Sequence, residues 1–373
     1  MQNSGPKKII ENLLNKAGVQ INGPHPWDIH VKNEGLYRRI LSRGTLGFGE
    51  AYMDGWWDSE QLDEMITKIL RAELRKEISF NWPLAKAYLQ SWFLNLQNKR
   101  RSKVVAEKHY DLSNELYMSF LDPYNQYTCG YFKDTTDLNV AQLQKLRLIC
   151  EKLQLKATDK VLDIGCGWGG FAKYAAEHYG CHVTGITISK EQAAFARSFT
   201  QGLPVDIQEL DYRHLSGKFD KVLICGMIEH VGYKNYPRIF KIVYSLLPSG
   251  GLFLLHTIAS SKSETAPDPW IDKYIFPNGI LPSLKQLSGA AEGLFVAEDL
   301  HNFGAYYDPT LIAWFKNFDA SWPKLKQNFD DRFYRMWKYY LLSCAAIFRS
   351  REAQLYQFVF SKQGVLGGYI TPR

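Results

Sequence analysis

The run Val161-Leu-Asp-Ile-Gly-Cys-Gly-Trp-Gly-Gly170 constrains this chain more than any other stretch. Val161, Leu162 and Ile164 suit a strand buried on both faces. The four glycines that follow remove Cβ atoms where backbone and ligand must approach closely. The helix start behind them offers unpaired N–H groups. A nucleotide-like ligand is expected at this turn. A helix from Val140 to Leu153 precedes it, and strands at 182–188, 205–210, 219–225 and 251–257 alternate with helical segments after it. That alternation predicts an α/β fold built on a parallel, doubly wound sheet, with the ligand at the strand carboxyl ends.

Two ligands compete for the turn. Gly165, Gly167 and Gly170 satisfy G-x-G-x-x-G, the dinucleotide pattern, which also expects an acidic residue about 20 positions on. The second strand, His182-Val-Thr-Gly-Ile-Thr-Ile-Ser189, ends in hydroxyls instead, and Asp163 stands just before the first glycine. The resulting D-x-G-x-G-x-G, from Asp163 to Gly169, resembles the S-adenosylmethionine loop of Rossmann-like class I methyltransferases. A dinucleotide and a purely structural glycine turn are the alternatives.

With 373 residues the chain has room for two domains, and 46% hydrophobic against 22% charged residues argues against disorder. It contains no apolar run of 18 residues, and its amino terminus lacks the pattern of a signal peptide, so a cytoplasmic protein is expected. Six cysteines (Cys129, Cys150, Cys166, Cys181, Cys225, Cys344) show no C-x-x-C spacing, so neither a metal site nor a disulfide framework is indicated.

Charge is uneven. Residues 1–108 hold 17 Lys and Arg against 12 Asp and Glu, which is most of the formal +7. The cluster Lys99-Arg-Arg-Ser-Lys103 follows Leu89, Trp92, Phe93 and Leu96 at helical spacing. Basic residues beside an aromatic amphipathic face point to membrane headgroups or nucleic acid. A buried helix face followed by a solvated linker is the plainer alternative.

In chain order, residues 7–17 read as a helix, Gly18 to Val31 as a small β-hairpin and Glu34 to Ser42 as a second helix. The glycines of Gly44-Thr-Leu-Gly-Phe-Gly-Glu-Ala-Tyr-Met-Asp-Gly-Trp-Trp57 suit tight turns, and the Trp pair suits a core. These segments form a smaller, mostly helical N-terminal domain. The expected division is 1–85 for that domain, 86–108 for a helix and basic linker, and 109–373 for the catalytic domain. Later, Glu229, His230 and His256 fall at the ends of the fourth and fifth strands, where a base or an anion would be held. The aromatic insertion Ala259 to Pro282 suits the roof of an apolar pocket, and Tyr306 and Tyr307 follow from a later loop. Each of these polar groups also has a structural reading, as a satisfied buried side chain.

Over essentially its whole length the chain resembles the bacterial cyclopropane-fatty-acyl-phospholipid synthases. The resemblance is carried by Gly44 to Trp57, His109-Tyr-Asp-Leu-Ser-Asn114, Gln126-Tyr-Thr-Cys-Gly-Tyr131, Val161 to Gly170, Ile228-Glu-His-Val-Gly232, Leu255-His-Thr-Ile258, Tyr274-Ile-Phe-Pro-Asn-Gly279 and His301-Asn-Phe-Gly304. The related mycolic acid cyclopropane synthases are similar to the later part only. The resemblance implies transfer of a methylene group from S-adenosylmethionine to the cis double bond of an unsaturated acyl chain in a membrane phospholipid. A carbocation intermediate is then deprotonated by an enzyme-held bicarbonate. It further implies bicarbonate holders at the Glu229, His256 and Tyr307 side chains and the Cys129 and Ile258 backbone.

For the cofactor it implies Tyr127 and Thr128, then Asp163, Gly165 and Gly167 with Trp168 and Gly169 beside them, then Thr187, Ser189 and Gln192, and finally Asp211 and Tyr212 near adenine. The family often has Ser where Thr128 stands, which keeps the hydroxyl. Cys344, in Leu342-Ser-Cys-Ala-Ala346, is a family cysteine for which a packing role fits better than nucleophilic chemistry, since alkene methylation needs no thiolate. A homodimer, peripherally attached to the inner face of the cell membrane and not bound to nucleic acid, is the expected assembly. The rivals are a lipid-directed methyltransferase that leaves a methyl branch or a methylated headgroup, and a membrane-binding protein that holds the cofactor without turnover.

Overall fold

A computed structural model describes residues 5–74 and 114–373. The basic cluster at 99–103, the helix expected before it, the 86–108 linker and residues 109–113 lie outside the described residues. The described chain forms two compact units. One holds residues 114–265, 278–307 and 354–373, and the other holds 5–74, 266–277 and 308–353.

The first unit is built on a seven-stranded sheet. Its strands are β1 (Lys160–Ile164), β2 (His182–Thr187), β3 (Val205–Glu209), β4 (Lys221–Cys225), β5 (Leu252–Ser260), β6 (Val296–Asn302) and β7 (Ala353–Ser361). Their order across the sheet is β3-β2-β1-β4-β5-β7-β6. The first five run parallel, while β6 and β7 pair antiparallel. Buried on both faces, the central strands read as apolar runs: Val161, Leu162, Val222, Leu223, Ile224 and Leu252 to Leu255 are all inaccessible. Helices Leu138–Lys152, Gly170–Tyr179, Lys190–Phe199 and Tyr236–Leu246 intervene as the alternating pattern required. Asp137 caps the first of them by accepting the Val140 N–H at 2.9 Å. Because β2 and β4 flank β1 on opposite sides, the chain reverses its winding at β1, and the carboxyl ends at such a reversal are where open α/β sheets bind their ligands.

The helical unit is discontinuous in sequence, and its core is aromatic. Trp57 stacks on Phe48 with centroids 4.3 Å apart, and Tyr339 meets Trp270 edge-on at 4.7 Å. The tryptophan pair splits: Trp57 is fully buried, whereas Trp56 is half-buried under Arg39. One local expectation fails and another holds only in part. Residues 18–31 form no hairpin; Ile21 and Ile29 make a single bridge, and His30–Val31 pairs instead with Trp57–Asp58. Within the glycine-rich stretch the turn reading holds at Gly44, whose φ of +55° breaks the helical run Gly35–Met53 in two, and at Gly55, with φ +73° beyond its end, but Gly47 and Gly49 are helical. The physical reason is close packing: a Cβ on Gly47 would lie 2.4 Å from the Arg39 carbonyl oxygen, and one on Gly49 would lie 2.5 Å from the Trp270 ring.

Glu50, on that helix, is the electrostatic centre of the unit. Its carboxylate accepts from Lys273 at 2.7 Å, Tyr274 at 3.0 Å, Arg39 at 3.1 Å and Arg43 at 2.6 Å. Burial pushes the carboxyl up, but the bonds from Lys273, Arg39 and Tyr274 and the charge of Arg43 outweigh it and hold the pKa at about 2. Stability from this group is therefore complete above its ordinary value of 4.5 and is lost as pH falls from there through about 2. Glu50→Gln is expected to cost about 2–3 kcal/mol at neutral pH, since charged hydrogen bonds are weakened together. Denaturant melts of both proteins check this; a difference that stays constant down to pH 2 would contradict the charge argument. No described helix is long and apolar enough to cross a membrane.

Candidate active site

The glycine turn leaves β1 at Asp163 and Ile164. The N–H groups of Gly165 and Cys166 both donate to the Ile186 carbonyl at 2.9 Å, which ties the turn to β2. Gly165 has φ +85°, and a Cβ there would sit 2.8 Å from Met227. Gly169, at φ +82°, precedes the helix Gly170–Tyr179, while a Cβ on Gly170 would fall 1.8 Å from the Tyr124 carbonyl oxygen. Around Gly167, in contrast, the space for a Cβ is open. Trp168 donates its indole N–H to Asn114 Oδ1 at 2.9 Å and packs on Tyr117, which in turn meets Tyr127 edge-on at 5.2 Å. Asp163 is buried, and desolvation raises its carboxyl to about 7 against the pull of the Lys145 charge.

The loop carrying Tyr127, Thr128 and Cys129 is held from both ends. Asp122 accepts the N–H groups of Tyr124 and Gln126 at 2.9 and 2.8 Å. From the helix Leu138–Lys152, Gln142 donates to the Thr128 carbonyl at 2.8 Å, and Lys145 donates to Thr128 Oγ1 at 2.8 Å and to Gln126 Oε1. Lys145 is fully buried, and burial lowers its pKa. The sequence reading missed Gln142 and Lys145; the available signal was two polar residues beside Ala141, Leu146 and Ile149 on the buried stripe of this helix.

At the end of β2, Thr187 donates its hydroxyl to Gln192 Oε1 at 3.0 Å, and Ser189 accepts the Gln192 N–H at 3.3 Å as the cap of the next helix. Beyond β3, Asp211 caps the turn Tyr212–His214 and pairs with Arg213 at 2.8 Å. These residues serve local capping and also line the carboxyl edge of the sheet beside the glycine turn. Tyr212 is buried against the β4 side of the core.

Glu229 sits on the short turn Ile228–His230 after β4, and His256 lies on β5 opposite Cys225 in register. Glu229 Oε1 accepts the Ile258 N–H at 2.8 Å, so the Ile258 backbone orients this carboxyl. Its Oε2 is buried with no hydrogen-bond partner among the described residues. Burial pushes the carboxyl up to about 7, which leaves it protonated for much of its time near neutrality. His256 is equally buried. Its Nδ1 takes a hydrogen bond from Gln357 Nε2 at 3.1 Å, while Nε2 has no partner among the described residues. Desolvation, helped by the charges of Lys145 and Lys152, keeps its pKa well below the usual histidine value.

Tyr307 is buried and opens the helix Tyr307–Leu325, one short turn (Gly304–Tyr306) after Phe303, whose ring meets His256 edge-on at 5.7 Å. Gln357 was also missed from the sequence, although a glutamine amid Leu355, Phe358, Val359 and Phe360 on a buried strand is its signal. Cys344 belongs to the helical unit, where burial pushes its thiol up to about 12, too high for a thiolate near neutral pH.

A neutral imidazole and a largely protonated carboxyl, each with one buried polar atom without a partner among the described residues, are groups that a small hydrogen-bonding ligand would satisfy. Known proteins resemble the chain in sequence and in fold. The family described as mycolic acid cyclopropane synthetase matches residues 97–358. Cyclopropane-fatty-acyl-phospholipid synthase of Escherichia coli (strain K12) is 49% identical over 366 residues, covering 98% of this chain and 96% of that protein. Tuberculostearic acid methyltransferase UfaA1 of Mycobacterium tuberculosis is 33% identical over 89% of this chain and 82% of its own length. The crystal structure of mycolic acid cyclopropane synthase CmaA1 complexed with SAH and CTAB superposes with a TM-score of 0.64 at 30% identity, covering 70% of this chain and 98% of that one. With a family match over most of its length and a near full-length relative at 49% identity, the chain belongs to the mycolic acid cyclopropane synthetase family of S-adenosylmethionine-dependent methyltransferases.

Proposed function

We propose that the chain converts cis-unsaturated acyl chains of membrane phospholipids into cyclopropane fatty acids, with S-adenosylmethionine as donor. The observation that carries this reading is the buried pair Glu229 and His256, each with one orphaned polar atom, on strand ends beside the glycine turn. A methyltransferase whose acceptor is already a good nucleophile has little need for a second, dry anion site. The residues fit the donor: the open space at Gly167 suits its amino acid end, the buried Asp163 carboxyl would hold its ammonium, and Asp211 and Tyr212 would hold its adenosine. When bound, S-adenosylmethionine supplies an electrophilic methyl carbon and bicarbonate a proton acceptor.

The chain's own residues then do three things. Glu229, protonated, and His256, through Nε2–H, donate to the anion from two sides, with Tyr307 and the Cys129 backbone completing the holder set. Fixing an acceptor close to the new methyl group lets its proton leave as the ring closes. The apolar, aromatic surroundings exclude water, which would otherwise capture the cation, and aromatic faces stabilise positive charge without reacting. Purified protein is expected to release S-adenosylhomocysteine with unsaturated phospholipid vesicles and to fall to background with fully saturated ones; equal release with both overturns the reading. A methyl-branched product is the second reading, favoured by the likeness to a protein named tuberculostearic acid methyltransferase.

Docking on the bilayer fits the cluster Lys99-Arg-Arg-Ser-Lys103, where four cations contribute roughly 4 kcal/mol at an anionic surface and are screened by salt. Vesicle binding is therefore expected to weaken markedly from low to high salt in a sedimentation assay. Binding that is unchanged in high salt would assign the contact to apolar insertion. A homodimer fits the same logic, because two linked sites lengthen residence on one bilayer. Light scattering is expected to give twice the 43.0 kDa chain mass, and a strictly monomeric mass with full vesicle activity would remove that argument.

A further inference from the structure

We infer that Gln357 is a positioning residue, which sets the tautomer of His256 so that the ring presents an N–H, and not a lone pair, to the anion site. The inference rests on the proposed role of His256 and adds the device that orients it. Gln357 lies on β7, the sheet neighbour of β5, which carries His256. Both side chains are buried, and they are joined at 3.1 Å between Gln357 Nε2 and His256 Nδ1.

A neutral imidazole has one donor and one acceptor nitrogen, so the partner of one nitrogen decides the role of the other. The amide N–H of Gln357 makes Nδ1 the acceptor. The ring proton must then reside on Nε2, the nitrogen left without a partner among the described residues. Phe303, edge-on to the ring at 5.7 Å, packs against it and resists a flip that would exchange the two nitrogens. The arrangement is costly for a sheet interior. Gln357 is inaccessible, its neighbours Phe358, Val359 and Phe360 are buried and apolar, and its own Oε1 remains without a partner among the described residues. An apolar residue would pack at this position at lower cost. It would leave Nδ1 bare and the tautomer undetermined.

Gln357→Glu discriminates between these roles, because a carboxylate accepts from Nδ1–H and so reverses the ring, turning a lone pair toward the anion. The measurement is a long-range proton–nitrogen correlation spectrum of the full chain labelled with nitrogen-15 histidine, the His256 signals being identified by their loss in His256→Asn. Wild type is expected to show the proton on Nε2, and Gln357→Glu to show it on Nδ1. A wild-type ring protonated on Nδ1, or a spectrum unchanged in Gln357→Glu, overturns the inference, and the wild-type spectrum decides even where the variant does not fold. In parallel, titration of sodium bicarbonate into carbonate-free vesicle assays is expected to give Gln357→Glu at least a tenfold higher bicarbonate requirement with an unchanged KM for S-adenosylmethionine. Equal weakening of both, with melting lowered, would mean a merely structural role. Absence of any bicarbonate dependence in wild type counts against the proposed function and leaves the tautomer result to be judged on the spectrum.

Discussion

Replacing Glu229 by glutamine is expected to lower ring formation roughly 100-fold while leaving the affinity for S-adenosylmethionine unchanged. The amide keeps an acceptor for the Ile258 N–H and a donor where Oε2 stood, so local geometry survives. What disappears is a group able both to give and to take a proton beside the anion, and proton transfer is the step that separates a ring from a trapped cation. The same substitution carries a stability signature of opposite sign. Folded Glu229 keeps its proton up to about pH 7, whereas the unfolded chain releases it near the ordinary value of 4.5. Wild-type stability thus falls as pH rises between those values, and glutamine carries no such penalty. The variant's melting temperature should gain on wild type through that window and level off above it. Lost cofactor binding by calorimetry would place Glu229 in a different role.

Gly170→Ala and Gly167→Ala should fail for different reasons. A Cβ at Gly170 meets backbone, 1.8 Å from the Tyr124 oxygen, so the loop toward Tyr127 and Cys129 must move. Overpacking of this kind costs about 3 kcal/mol and should weaken cofactor binding together with stability. At Gly167 nothing lies within 4 Å, but φ is +54°, so the fold pays only about 1 kcal/mol. Its new methyl group occupies the open space proposed for the cofactor. The expected outcome is a protein that melts near wild type and has lost at least tenfold in S-adenosylmethionine affinity, with melting and titration calorimetry as paired readouts. A Gly167→Ala protein that binds normally would remove this glycine from the proposed site.

What was legible in the sequence is what local chemistry dictates. Apolar runs near 161, 183, 222 and 253 became strands within two or three residues of the reading at most boundaries, because a central strand must be apolar on both faces. Glu229 and His256 were singled out because they stand at the ends of such strands, and they do lie there, just after β4 and on β5. Glycine was legible where φ is positive, at 165, 167 and 169, and misread at 47 and 49, where it serves helix packing against Arg39 and Trp270. No local rule separates those two uses. Lys145 and Gln357 were missed for a related reason: each occupies a position that periodicity assigns to the core, and only a tertiary partner reveals why a polar residue is tolerated there. The helical unit's debt to 266–277 and 308–353 was likewise hidden, since aromatic residues such as Trp270 and Tyr339 do not announce which surface they will cover.

The central claim is that a methyl group is delivered to an alkene and then loses one proton as the ring closes. Purified protein supplied with S-adenosylmethionine carrying a fully deuterated methyl group, and with vesicles of unsaturated phospholipid, tests it through mass spectrometry of the released fatty acids. The account predicts a product one carbon heavier, without the original double bond, that retains two of the three deuterium atoms on the new carbon. A product that retains all three, as a methyl branch or on the lipid headgroup, would contradict it.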